Sequence, residues 1–192
     1  MPDLSASTAP GDELSRELII RVREHFVSQF EAFVLDQRSR HVFGASEMKL
    51  RLGGDAKVYN GLYSADFLTN ELQSSIVDFR SDRVLTFERV STAVGGAAVT
   101  IDGLRWDATF VHHDLPVLPD TEMDAWFTTW FDPDNMRDDS GLAIKQIVHA
   151  MTIEPFHIHL DFGTAPADAF WSLLSLLSAA GASMIRVSAT PA

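Results

Sequence analysis

Residues 156–189, FHIHLDFGTAPADAFWSLLSLLSAAGASMIRVSA, contain the clearest folding unit of the chain and a chemical question inside it. Ile158, Leu160 and Phe162 alternate with His157, His159 and Asp161, the period of two that a half-buried strand requires. Thr164 then stands where an N-cap belongs, with Pro166 in the first turn, and Phe170, Leu173, Leu174 and Leu177 share one helix face. Gly181 fits a left-handed C-cap, after which SMIRVSA makes a last short strand. The expected ending is therefore strand, helix, strand.

Immediately upstream, LAIKQIVHAMTI (142–153) reads as an antiparallel neighbour of FHIHLDFG, with Glu154-Pro155 between the two. Further back, VLTFERVSTAV, AAVTI and LRWDATFVHHD are separated by Gly95-Gly96 and Asp102-Gly103, which predicts a three-stranded meander. EMKLRL and AKVYNGLY flank Gly53-Gly54-Asp55 and read as a hairpin, while FLTNELQSSIVDFR leaves room for a short helix. From Asp12, a candidate N-cap, to about Gln37, apolar residues step by threes and fours from Leu14 through Phe26 to Phe33. Ile19, Ile20, Val27 and Val34 widen that face, so a sheet and a second subunit, making a homodimer, are the expected covers. Thr121 and Asp124 resemble a capping box opening an aromatic helix with Met123, Trp126, Phe127, Trp130 and Phe131 on one side.

These readings converge on an α+β fold: a largely antiparallel sheet packed by a long N-terminal helix and a C-terminal helix. The expected organisation is a flexible arm over residues 1–11 and one domain over 12–192.

The chain of 192 residues is 46% hydrophobic and 22% charged, with a formal net charge of −12, as expected for a folded acidic domain. Its scattered Lys and Arg offer no basic stripe for a nucleic-acid backbone. There is no cysteine, so disulfides, thiol nucleophiles and thiolate metal sites are excluded. No stretch reaches the roughly 18 apolar residues of a membrane span, and the opening MPDLSASTAPGDELS lacks the pattern of a secretory signal. The cytoplasm is the expected location.

Two chemistries deserve comparison. His157, His159 and Asp161 project from one face of an extended segment, and His149 or His112 on neighbouring runs could join them around one transition metal ion. The solvent-facing side of a half-buried strand explains the same pattern without a metal. DFG at 161–163 lacks the other kinase motifs, and the loop at Asp132 departs from a calcium-binding loop because Met136 and Arg137 stand at positions that need a ligand and a glycine. No nucleophile elbow is present. The leading expectation is a noncatalytic binding protein with no cofactor, meeting a basic protein partner through Asp132, Asp134, Asp138 and Asp139 and through Trp126 and Trp130. The alternative is a metal-dependent enzyme using His157, His159, Asp161 and His149.

Overall fold

The computed structural model describes residues 10–53, 58–69, 74–81, 83–137 and 144–190. The first nine residues, the Gly54-Asp55 turn, and Asp138 and Asp139 lie outside them. Helix α1 spans Pro10–Arg40, so residues 10 and 11 belong to the helix and Asp12 falls inside its first turn. Strand β1 (Gly44–Arg51) pairs antiparallel with β2 (Leu62–Thr69), which pairs with β3 (Ser75–Val77). The hairpin exists, but its second strand starts only at Leu62, because Val58–Gly61 form the short helix α2. Phe67, Leu68 and Thr69, an ambiguous stretch in the sequence, belong to the strand.

The larger sheet contains β4 (Val90–Val94), β5 (Ala97–Ile101), β6 (Thr109–His113), β7 (Ala150–Glu154), β8 (His157–Asp161) and β9 (Met184–Ser188). Its spatial order is β4-β5-β9-β6-β8-β7, and β5 with β9 is the one parallel pair. The meander therefore breaks at Asp102-Gly103: β9 is inserted between β5 and β6, and Asp102 donates its N–H to Val187 O at 2.8 Å. A turn signal fixes where the chain bends, not which strand arrives beside it. The β7–β8 pairing follows expectation, with Ile153 opposite Ile158 and Met151 opposite Leu160, but the strand starts only at Ala150, and residues 144–149 of the run read as strand are irregular.

Helices α3 (Asp120–Phe131) and α4 (Ala167–Ala179) complete the core. Neither expected side-chain cap forms: the N-cap positions are Pro119 and Pro166, and Thr164 points inward instead. Ile19, Val22, Phe26, Phe30 and Val34 of α1 pack into one core with Val99, Ile101, Val111, Ile158, Leu160 and the buried face of α4. Val27 is also buried there, so of the residues that widen the helix only Ile20 keeps substantial exposure. No helix among the described residues is long and apolar enough to cross a membrane.

Trp126 and Trp130 belong to the packing of α3 on α4. Both indole Nε1–H groups donate to the Ser172 hydroxyl, at 2.9 and 3.1 Å. Removing that acceptor leaves two indole donors without a partner at a helix–helix contact. Ser172→Ala is expected to destabilise the fold by about 2 kcal/mol in urea denaturation, and a loss below about 0.5 kcal/mol would mean that the indoles find another acceptor.

Candidate functional site

The β1–β2 ladder pairs every residue from Gly44 to Arg51 except one: Ser46 faces Phe67 and Met48 faces Ala65, while Glu47 and Asp66 between them are unpaired. Glu47 has φ 51°, a left-handed conformation that a non-glycine residue adopts at a cost of about 1–2 kcal/mol. The distortion lets both carboxylates reach the ring of His149. Glu47 Oε1 lies 3.0 Å from Nε2, and Asp66 Oδ1 lies 3.1 Å from Nδ1. The second contact is off the line of the ring nitrogen, so it acts as an ion pair and not as an aligned hydrogen bond. Asp161 Oδ2 is 3.9 Å from the same nitrogen.

Each member is held from behind. The Lys145 N–H and the Thr164 hydroxyl donate to Glu47, the Phe79 N–H donates to Asp66 at 2.7 Å, and the Gly163 N–H donates to Asp161 at 2.8 Å. Phe30 covers the imidazole edge-on with centroids 5.5 Å apart. Gly163 is needed where it stands: at φ +52°, a Cβ there would meet His149 Cδ2 at 2.1 Å. The cluster is graded in exposure, from Glu47 at 0% and the His149 side chain at 1% to Asp161 at 30%. Burial alone would lower the His149 pKa, but Asp66 and Glu47 outweigh it and raise it well above the ordinary value. Burial pushes Asp161 up, His149 opposes it, and nearby Asp66 adds to it, with the result at about 7.

A second group lies on the outer face of the larger sheet. Cross-strand register lines up Thr100, Arg186, His112, His157 and Glu154 in one row. Phe110 and His159 stack beside it with centroids 4.4 Å apart. The residues of this face are exposed or half-buried, apart from Ser188 in β9, whereas the alternate residues point into the core. An open depression of about 450 Å³ is lined here by Arg89, Thr100, His112, His113, Met184 and Arg186 among others. Burial, followed by repulsion from His157, lowers the His112 and His159 pKa values, so these imidazoles are neutral at pH 7.

The expected metal set is thus divided. His149 and Asp161 meet in the interior cluster, while His157 and His159 belong to the sheet face with Phe110 and His112. Among the described residues, no three His, Asp or Glu side chains form a group that could hold a metal ion. In the expected partner surface, Asp132 is buried: its carboxylate accepts the Met136 and Arg137 N–H groups and pairs with Lys49 at 3.5 Å. Trp126 is buried and Trp130 half-buried, leaving Asp134 as the exposed member among the described residues. Glu47, Asp66, Phe110 and Arg186 were not singled out by sequence reasoning. Within alternating strands they carry no mark beyond being polar or aromatic at a surface position.

No family model, curated protein or solved structure matches this chain.

The interior cluster makes stability depend on pH with a definite sign. His149 and Asp161 both have folded-state pKa values above their ordinary ones, so the fold is favoured when they are protonated and loses that advantage as pH rises. For Asp161 the loss runs from about pH 4 to about pH 7; for His149 it starts at about pH 6.5 and continues through its raised value. Asp161→Asn, which never ionises, is expected to match the parent's thermal midpoint near about pH 4 and to exceed it near about pH 8. A gap that does not change with pH would contradict the assignment.

Proposed function

We propose that this is a noncatalytic binding protein that takes its ligand on the open face of the six-stranded sheet. The observation that carries this reading is the composition of that uncovered face. Phe110 and His159 form a stacked pair, His112 and His157 stand next to it, and Arg186 lies in register with both Thr100 and His112. A sheet face that serves only as a wet boundary gains nothing from stacked rings, whereas aromatic, imidazole and guanidinium groups together favour recognition. The adjoining depression of about 450 Å³ has the size of a small-molecule site. The acidic loop supports a basic protein partner less well, because Asp132 is committed to Lys49 and to backbone amides.

A second reading, acid–base chemistry at Asp161, has one observation in its favour. A partly exposed carboxylate whose pKa is pushed to about 7 stands next to an imidazole that is itself oriented by a buried glutamate. The depression of about 450 Å³ is lined by His112 and Arg186 and not by Asp161, which favours the sheet face.

Amide and side-chain NMR during a small-molecule screen separates the two. Binding at the sheet face shifts Phe110, His112, His157 and Arg186, and His112→Ala with His157→Ala abolishes those shifts while changing stability by less than about 1 kcal/mol. Hits that instead shift Asp66, Asp161 and Gly163 would replace the first reading with the second.

A further inference from the structure

We infer that His112 and His157 form a chelating pair for one divalent transition-metal ion, zinc, nickel or copper, on the outer face of the larger sheet. This inference rests on that open face being the binding surface, and it adds the chemical class of the ligand. The two histidines are direct partners across the β6–β8 ladder. Their strand neighbours Val111, His113 and Ile158 are buried, so both rings belong to the outer face, where both are half-buried. Their ring centroids are 5.7 Å apart, with the planes inclined at 38°. A metal bound to an imidazole nitrogen at about 2.1 Å lies about 3.2 Å from the ring centre, so two rings on one ion at bond angles of about 90–130° have centres about 4.5–5.8 Å apart. The backbone therefore already sets the spacing that chelation needs.

The neighbours of His112 also fix which of its nitrogens is open to a metal. Ser188 Oγ donates its single hydrogen to Thr190 O at 2.6 Å, so in its 3.2 Å contact with His112 Nε2 it accepts, and Nε2 carries the hydrogen. The neutral ring then keeps its lone pair on Nδ1, which has no hydrogen-bond partner among the described residues. A metal-binding imidazole characteristically has its second nitrogen tied in this way to a polar group behind it. Charge permits a cation here: Arg186, next to His112 in register, pairs with Asp102 at 3.2 Å, and Glu154 brings a carboxylate opposite His157 on β7. His159 is taken up by its stack on Phe110, and no third His, Asp or Glu completes a metal-binding group among the described residues. Water or a small donor ligand therefore fills the other coordination positions. Imidazole donors select zinc, nickel and copper over magnesium, with copper held tightest.

The test titrates the untagged full chain with zinc, nickel, copper and magnesium ions by calorimetry, and follows zinc by NMR of the histidine rings. One equivalent of each transition ion is expected to bind, copper tightest, and magnesium is expected not to bind. Zinc is expected to shift the rings of His112 and His157 while leaving those of His25 and His149 in place, and the ring nitrogens of metal-free His112 are expected to report hydrogen on Nε2. His112→Ala and His157→Ala are each expected to weaken binding by about tenfold or more, and the double variant by little beyond either, because losing one imidazole already ends the chelate. The inference is overturned if zinc shifts other histidines instead, if magnesium binds as tightly, if metal-free His112 carries its hydrogen on Nδ1, or if His157→Ala with an unchanged thermal midpoint keeps the parent's affinity. Should no transition ion bind while an organic compound still shifts Phe110 and His112, the metal assignment alone falls; should nothing shift that face, the binding reading falls with it.

Discussion

The hydrogen bond between the buried Glu47 carboxylate and the His149 ring is the interaction on which the junction of the two sheets depends. A carboxylate at 0% exposure, with no Lys or Arg partner among the described residues, is held in place by an imidazole, a backbone amide and a hydroxyl. The same histidine ties the sheets through its main chain, accepting from Ser64 N at 2.8 Å and donating to Asp161 O at 2.9 Å. The strain at Glu47, the contact with α1 through Phe30 and the approach to α4 through Thr164 all follow from keeping this one ring surrounded. Arg23 reinforces the last link by donating to the carbonyls of Thr164 and Ala165, at 3.0 and 2.7 Å.

Surroundings set His149 apart from His112 and His159. His149, enclosed by carboxylates, keeps its proton, whereas His112 and His159, on the sheet face with a like-charged neighbour, give theirs up readily. A single residue type thus supplies a cationic fastener inside and neutral, stacking, hydrogen-bonding rings outside. Charge is spent where the chain must be joined, and it is withheld where a face stays open to solvent.

Much of the fold was legible in the residues themselves. The alternation of FHIHLDFG, the apolar faces of α1 and α4, and the β4–β5 hairpin at Gly95-Gly96 are local patterns, and the structure contains each. The place of β9 was not legible, because pairing between residues 97–101 and 184–188 leaves no mark in either segment. The interior cluster was hidden for a similar reason: Glu47 looks like one more polar position of EMKLRL until the ladder is seen to open there. The question posed by His157, His159 and Asp161 is answered by which distant residues come beside each of them: His149 beside Asp161, where Gly163 leaves room for its ring, and Phe110 and His112 beside the two histidines.

The insertion of β9 also governs the order in which the chain can be completed. Until residues 184–188 emerge from the ribosome, the β4–β5 hairpin and the β6–β8–β7 group are two separate fragments, each with an unpaired edge. Those edges become interior only when the last strand enters, one side parallel and the other antiparallel. Contacts of this sequence separation form late and slowly, so the nascent chain passes through a stage in which β-strand edges are exposed to one another and to other chains. Until β9 pairs, association through those edges competes with completion of the sheet.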